Sequence, residues 1–295
     1  MKKIKVRTIL YFILIRLSPL MSDKLYIRLK YRLFMKRKCN LKHPVLFQEK
    51  LQWLKINDRK AIYHTMVDKI DAKKFISERI GNEYVIPTIG IWNTIDEMDF
   101  NILPNEFILK NSYDSGSYFI CTDKKSLDKG EVKKRLMISK DKDYYLYSRE
   151  WPYKGLEHRI IAEPLLHDDR SPYLRDYKFF TFNGEPKFFY VTSNRGSETG
   201  LKEDFFDIHG NLLDLNQKGY YNNPQTPTLP VNLEKMVMFA KILAKDTYHL
   251  RVDFYEINDR LYVGEMTFFD GGGFCPFVPE KYNTIFGDWI KLPID

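Results

Sequence analysis

Seven residues rich in aromatics, Asp176-Tyr-Lys-Phe-Phe-Thr-Phe182, run into the pair Asn183-Gly184 and leave it through Pro186-Lys-Phe-Phe-Tyr-Val191. Few features constrain a fold so tightly. Asn-Gly suits a type I′ turn, in which both central residues take positive φ, and such a turn lays its flanking strands antiparallel. Two further strand-like runs follow, Leu250–Ile257 and Leu261–Phe269, joined across Asn258-Asp-Arg260. Between the pairs, Asn232 caps a helix whose apolar Leu233, Met236, Val237, Ala240, Leu243 and Ala244 keep the helical period. Hairpins separated by a helix read as α+β with antiparallel sheets.

The earlier half is consistent with this. A short helix is expected at Phe47–Lys55, because Phe47, Leu51 and Leu54 share a face, and a longer one from Tyr63 to Ile80, stopped by Gly81. Tyr84–Trp92 reads as a short strand punctuated by Pro87 and Gly90. Phe107–Lys110 and Ser117–Thr122 read as strands around the loop 111–116, and Arg159–Leu166 as a buried strand ending at Pro164. Residues 125–148 are charged and expected to be helical. At 295 residues, 44% hydrophobic and 29% charged, the chain is neither disordered, fibrous nor an integral membrane protein, and it is long enough for a multi-lobed domain or two domains. Three scattered cysteines, Cys39, Cys121 and Cys275, fit neither a disulfide framework nor a zinc module.

Charge is unevenly spread. Residues 1–43 hold thirteen Lys or Arg against one acid, Asp23, a surplus of +12 that leaves −4 for the rest of a chain of net charge +8. This points to a local anionic contact, not to nucleic acid, for which no signature is present. Ile9–Ile15 is apolar for seven residues, far short of the ~20 that span a bilayer. It has the charge and apolar run of a signal peptide without a small-residue cleavage site. A helix capped by Ser22 follows, with Leu25, Leu29 and Leu33 recurring among basic residues. Two readings are open: an interfacial helix held by anionic lipid through residues 1–38, or a helix whose leucine face docks on the protein itself.

The chemistry-bearing residues concentrate late in the chain. Strand alternation puts Leu250, Val252 and Phe254 on one face, and Arg251 and Asp253 on the other. A three-residue connection sets Asp253 opposite Glu265 and Arg251 opposite Thr267, with Glu265 and Thr267 sharing a face with Leu261 and Val263. Opposed carboxylates ~5 Å apart repel unless a cation lies between them, and their oxygens suit Mg²⁺. The plain alternative is a hairpin face on which Arg251 pairs with Asp253. Lys110 ends a strand beside a polar loop, an arrangement that holds phosphate oxygens elsewhere, and Lys178 shares a face with Phe180 and Phe182. A protein-kinase reading of Ile108-Leu-Lys and His249-x-Arg-x-Asp fails, because Leu250–Ile257 is a continuous strand where kinases have a loop.

In order, Asp68-Lys69, Phe107-Ile-Leu-Lys110, Ala162-Glu-Pro-Leu-Leu166, Asp176-Tyr-Lys178, Arg251-Val-Asp253 and Glu265-Met-Thr267 resemble the ATP-grasp superfamily. Phe47-Gln-Glu-Lys-Leu-Gln-Trp-Leu-Lys55, Val67-Asp-Lys69, Ile86-Pro-Thr-Ile-Gly-Ile-Trp92 and Leu103-Pro-Asn-Glu-Phe-Ile-Leu-Lys110 narrow the resemblance to its TupA-like branch, named for teichuronopeptide biosynthesis and common in surface-polysaccharide gene clusters. It extends over about residues 40–293.

The resemblance implies an α+β ATP-grasp fold with ATP between two lobes, behind a basic helical arm. The divisions would be 1–43 (arm), 44–104 (N-terminal α/β region), 105–166 (lid lobe) and 167–295 (lobe with the metal-binding hairpin). Lys69 and Lys110 would contact ATP. Glu163, Leu165 and Leu166 would form the strand that reads adenine, and Asp168 or Asp169, the latter preferred, would lie near the ribose. Lys178 would touch phosphate and Arg251 would stabilise an acyl phosphate. Asp253 and Glu265 would hold Mg²⁺, with Thr267 standing where the superfamily usually has Asn. The Asp270-Gly-Gly-Gly-Phe274 turn would shape an acceptor pocket. The implied reaction joins the carboxylate of a uronic-acid glycan or its precursor to an amine or amino acid, in the cytoplasm or at the inner face of its membrane. Rival readings are a glycosyltransferase of the same pathway and a non-catalytic, membrane-associated polysaccharide-binding protein.

Overall fold

The computed structural model describes residues 6–137, 143–171, 173–198 and 200–294. It begins with two helices, α1 (Val6–Leu17) and α2 (Asp23–Met35), in contact with each other. Ser22 caps α2 as expected, its hydroxyl accepting from the Leu25 N–H at 3.4 Å. The buried face of α2 is a different one from the leucine stripe. Tyr26, Ile27, Lys30 and Tyr31 are buried, while Leu25 and Leu29 are 48% and 41% exposed. The Tyr26 hydroxyl and the Lys30 ammonium both donate to the Tyr147 carbonyl, at 2.8 and 2.7 Å, and Tyr31 packs towards Phe274. The two tyrosine rings bury more area than leucine, and the Tyr26 hydroxyl and Lys30 ammonium find a partner, which outweighs the periodicity of the leucines.

Helix α3 (Phe47–Asn57) is where it was expected, but the long helix after it is two: α4 (Ile62–Val67) and α5 (Asp71–Ile80). Asp68 divides them. It leaves the helix with extended backbone, and its carboxylate accepts from the Ile70 and Asp71 N–H groups at 2.8 and 3.0 Å, satisfying donors at the start of α5. Gly81 ends α5 at φ 114. Asn82–Tyr84 is a helical turn, so the strand expected from Tyr84 shrinks to β1 (Gly90–Trp92). Strands β2 (Phe107–Asn111) and β3 (Tyr118–Cys121) follow, then α6 (Lys129–Met137), α7 (Tyr144–Ser148) and β4 (Ile160–Pro164). Part of the charged helix expected over 125–148, residues 138–142, lies outside the described residues. These strands form an antiparallel sheet in the order β1-β4-β2-β3.

The Asn183-Gly184 hairpin forms as expected, β5 (Asp176–Phe182) against β6 (Glu185–Ser193), with φ of 48° and 81° at the turn. After it come β7 (Lys202–Asp207), the two-residue β8 (Asn216–Gln217), α8 (Leu233–Leu243), β9 (His249–Ile257), β10 (Arg260–Thr267), β11 (Phe277–Val278) and α9 (Lys281–Trp289). The second sheet is antiparallel in the order β10-β9-β5-β6-β7. Asn232 precedes α8 but does not cap it by its side chain, which donates instead to Glu256 at 2.8 Å.

Both faces of the large sheet are covered. Phe179, Phe189, Val252 and Phe254 are in one core with Met236, Phe239 and Leu243 of α8. On the opposite face Phe180, Phe182 and Phe188 pack with Phe47 of α3 and Phe286 of α9. Helix α9 comes close to α3 because residue 287 is glycine: a Cβ there would stand 2.0 Å from the Val45 carbonyl oxygen.

The β9–β10 hairpin keeps the expected pairs by another route. Asn258 and Asp259 alone make the turn, both at positive φ, so Ile257 faces Arg260. The register then shifts by one at Gly264, restoring Glu265 opposite Asp253 and Thr267 opposite Arg251. The bulge also separates two sets of side chains that simple alternation puts together. Leu261 and Val263 enter the core and Glu265 faces Asp253, so the expectation that they share a face is wrong. Gly264 lies under the Tyr255 ring, where a Cβ would come within 2.6 Å of a ring carbon.

Candidate functional site

A cleft of about 370 Å³ opens between the two sheets. Ile108, Lys110 and Glu163 reach it from the small sheet, Asp176, Tyr255 and Glu265 from the large one, and Lys69 and Lys73 from beside and along α5. A second, more open depression of about 440 Å³ lies on the other side of Lys73, around Lys74, Glu78 and Arg260. Its charged lining, Lys73, Lys74, Glu78, Glu83 and Arg260, includes none of the residues expected to hold a nucleotide or a metal.

Three groups of side chains line or adjoin the cleft. The first surrounds Glu163, opposite Ile108 on β2 and buried at 4% exposure. Its two oxygens meet Lys73 Nζ at 2.5 Å and Lys110 Nζ at 2.6 Å. Burial alone would raise this carboxyl, but the two ammonium groups hold it below its ordinary value. Lys73 also donates to the Ile86 carbonyl at 2.6 Å. Lys73 was not expected here; its signal was its place four residues after Lys69, one helical turn along.

The second group is set by Asp68, which caps α5 and takes Arg159 Nη2 at 3.1 Å. That places Lys69 against the 111–117 loop, its backbone N–H on the Ser112 carbonyl at 3.2 Å and its ammonium on the Asp114 carbonyl. Among the described residues Lys69 has no carboxylate partner.

The third group is a row of charges across β10, β9 and β5. Arg251 makes two bonds of 2.7 Å to Asp253, one bond to Asp270 and a 3.1 Å bond to the Thr267 hydroxyl oxygen. Burial works against this guanidinium, yet Asp253 and Asp270 keep its pKa well above the usual value. Lys178 lies between Asp253, to which it donates, and Asp176 at 3.6 Å. Asp176 in turn takes Arg195 Nη2 at 2.7 Å; burial opposes ionisation, but Lys178 and Arg195 pull its carboxyl far down. The pairing of Arg251 with Asp253 was foreseen as the plain alternative, whereas Arg195 had no signal in the sequence. Asp270 heads the glycine turn, where Gln217 donates to it at 2.5 Å. Nearby Glu203 is buried with its Oε2 unpartnered, and burial with the neighbouring Asp270 pushes its pKa up to about 8.

The expected nucleotide residues divide in two. Lys69, Lys110, Glu163 and Leu165 line the cleft, with Lys178 in contact with its wall through Asp176. Leu166 packs on the cluster of Ile86, Ile257 and Tyr262 instead. Asp169 is exposed, its backbone N–H and carboxylate both bonded to the Asn258 side chain at the β9–β10 turn. Asp168 pairs with Arg170 at 3.2 Å. Neither aspartate is among the cleft-lining residues.

For a metal, no three Asp, Glu, His or Cys groups among the described residues stand close enough to hold an ion unaided. A nucleotide-bound Mg²⁺ needs only one or two carboxylates, since phosphates and waters complete its octahedron. Glu265 has no side-chain partner among the described residues and faces Asp253 across the ladder, so the donors fit that mode. Asp253 and Thr267 are engaged by Arg251, and ligation through either requires that bond to be exchanged.

A cleft between two antiparallel sheets, lined with lysines on one side and carboxylates on the other, is the build of an ATP-grasp protein. Residues 49–291 match the sequence of the TupA-like ATP-grasp family, and the chain belongs to that family. No curated protein matches it. Among solved structures it is similar to D-alanine–D-alanine ligase from Bacillus anthracis complexed with ATP (15% identity, TM-score 0.40, 69% of this chain and 55% of that one). It is similar also to the Helicobacter pylori D-alanine–D-alanine ligase (15%, 0.41, 77% and 61%) and to N5-carboxyaminoimidazole synthetase from Staphylococcus aureus (13%, 0.40, 69% and 44%). The chain spans about half the length of these proteins.

Proposed function

We propose that this protein is an ATP-dependent carboxylate–amine ligase working through an acyl phosphate. Its carboxylate substrate is a uronic acid of a capsular or cell-wall polysaccharide, or of its precursor, and its amine an amino acid or simple amine. The observation that carries the nucleotide half is the cation set of the cleft: Lys110 and Lys73 share one carboxylate, Glu163, and Lys69 meets none. One negative charge against three positive ones leaves this wall of the cleft short of anions, and a polyphosphate supplies them. The substrate half is supported by the resemblance of the motifs to a branch common in surface-polysaccharide gene clusters.

In this reading a carboxylate oxygen of the uronate attacks the γ-phosphorus, ADP leaves, and the amine then displaces inorganic phosphate from the acyl carbon, losing a proton. Lys69, Lys73 and Lys110 bind and orient the phosphate chain, while Arg251 and Lys178 stabilise negative charge on the acyl phosphate. Glu265 and Asp253 would hold Mg²⁺ against the phosphates, which neutralises charge on the transferred group. Arg251 already carries two carboxylates, so closure of the lobes must exchange one of them for phosphate.

The test incubates the protein with ATP, Mg²⁺, glucuronate- or galacturonate-bearing glycan fragments and a panel of amino acids. ADP and phosphate should appear in step with a product of mass uronate plus amino acid minus water. Release of AMP and pyrophosphate sinks the mechanism.

A further inference from the structure

Helix α1 is apolar nearly throughout, yet Leu14 is its one buried residue. Val6 and Phe12 are 72% and 64% exposed, and Ile9, Leu10, Ile13 and Leu17 are each at least 43% exposed. At about 100° per residue these six occupy one arc of about 160°. The opposite arc faces α2, with Tyr11 edge-on to Phe34 at 5.0 Å and the Arg7 guanidinium 4.6 Å over the same ring. On α2 the outward side chains are Lys24, Leu25, Arg28, Leu29, Arg32 and Lys36.

Among the described residues no anionic side chain pairs with these cations; the next one along, Arg37, meets Glu280 at 2.8 Å. Asp23, the only acid before residue 44, is consumed internally by Arg59 at 2.5 Å, by Arg149 and by the Tyr145 hydroxyl. The surface is therefore apolar and cationic together. A second copy of the chain is a poor occupant, since an isologous contact would oppose cation to cation. An anionic lipid surface satisfies both characters, taking the apolar arc below its headgroups and the basic residues among them. Twelve residues of helix measure about 18 Å, against about 30 Å of hydrocarbon, so α1 lies along the surface. No helix among the described residues is long and apolar enough to cross a membrane.

We infer that the α1–α2 pair is a docking surface for an anionic bilayer. Helix α2 of the pair rests on Phe274, which Tyr31 and Phe34 approach at 6.2 and 5.6 Å between ring centroids, and Phe274 closes the glycine turn that Asp270 opens. Docking thus sets the Arg251–Asp270 end of the site behind α2, on the membrane side of the protein.

The full-length chain is sedimented with vesicles of phosphatidylcholine alone and with one third phosphatidylglycerol. Binding should require phosphatidylglycerol and weaken in 0.5 M salt. Ile9→Ser with Ile13→Ser, and separately Arg28→Glu with Arg32→Glu, should each reduce it at least tenfold, the basic pair at about fivefold per cation removed. All four positions are exposed, so thermal unfolding should be unchanged. Phe12→Trp should show a blue-shifted emission on phosphatidylglycerol vesicles only. The inference is overturned if the folded chain ignores phosphatidylglycerol vesicles, or if it binds both vesicle types equally. It is overturned too if light scattering shows a dimer that Ile9→Ser with Ile13→Ser dissociates while vesicle binding persists.

Discussion

Replacing Lys110 and Lys73 by methionine, singly and together, tests whether Glu163 depends on two ammonium groups. Either substitution alone leaves the carboxylate one cation within 2.6 Å. Lys110→Met should cost about 1 kcal/mol, the worth of one partly shielded pair. Lys73→Met should cost about 2 kcal/mol, because the Ile86 carbonyl also loses its donor. The double variant strands a carboxylate that is 4% exposed, and breaking a buried pair completely costs about 3–5 kcal/mol. Adding the Ile86 bond, the double should lose about 4–6 kcal/mol, or about 1–3 more than the sum of the singles. Glu163→Gln on the double background should recover that excess.

Acidity gives an independent reading of the same variants. In the parent the carboxyl sits below its ordinary pKa, so its contribution is present at neutral pH and lost as pH falls through the folded value. In the double variant burial alone remains and raises the pKa, so stability is lost as pH rises through the ordinary carboxylate range. The cost of the double substitution should therefore be largest at neutral pH and shrink towards pH 5. Urea unfolding followed by tryptophan fluorescence measures all of these. Costs additive within about 0.5 kcal/mol, or a double-variant cost that grows on acidification, would refute the reasoning.

Three further outcomes are expected. Glu265→Gln should abolish Mg²⁺-dependent ATP turnover with little change in melting temperature, whereas Asp253→Asn should lose turnover and also about 2–4 kcal/mol, since Arg251 and Lys178 keep their charge without that carboxylate; parallel melting curves and phosphate-release assays separate them. Gly287→Ala should destabilise by about 2–4 kcal/mol in urea titrations, because its Cβ meets backbone, which cannot rotate away. Buried His249, its pKa brought down to about 4 by desolvation, takes up a proton more readily unfolded than folded, so its site favours unfolding as pH falls from about 6.5 to about 4; stability measured across that range should fall less steeply in His249→Gln.

How far the sequence disclosed the site depends on how local each signal was. The Asn183-Gly184 turn needed only its own dipeptide, and the structure has it. The pairing of Asp253 with Glu265 was reached from a three-residue turn, where the molecule uses two residues and a bulge at Gly264, two departures that cancel. Counting cannot see such cancellation, because what accompanies the bulge, the Tyr255 ring lying over Gly264 from the adjacent strand, is a contact in space and not in sequence. Lys73 and Arg195 escaped for a related reason. Their partners, Glu163 and Asp176, are 90 and 19 residues away, and no periodicity links them. The helix break at Asp68 was legible in principle, an aspartate three residues before a helical run, but unbroken apolar spacing concealed it.

The docking of α2 on the body has a practical corollary for anyone shortening this chain. The family match begins at residue 49, yet packing begins much earlier, at Tyr26 and Lys30, whose polar tips share one carbonyl of Tyr147. A chain started at the family boundary would strip the cover from Phe274 and leave Lys55, now fully enclosed between the carbonyls of Ser148 and Gly272, near a new opening to water. A cut after Leu20 would instead remove the adhesive helix and the Ser18 carbonyl that accepts from Arg149, and keep Ser22, Asp23 and everything they hold. Two truncations whose starting points, residues 21 and 49, lie 28 residues apart should thus differ in extent: the first removes α1 with one acceptor of Arg149, the second a whole layer of the protein's own interior.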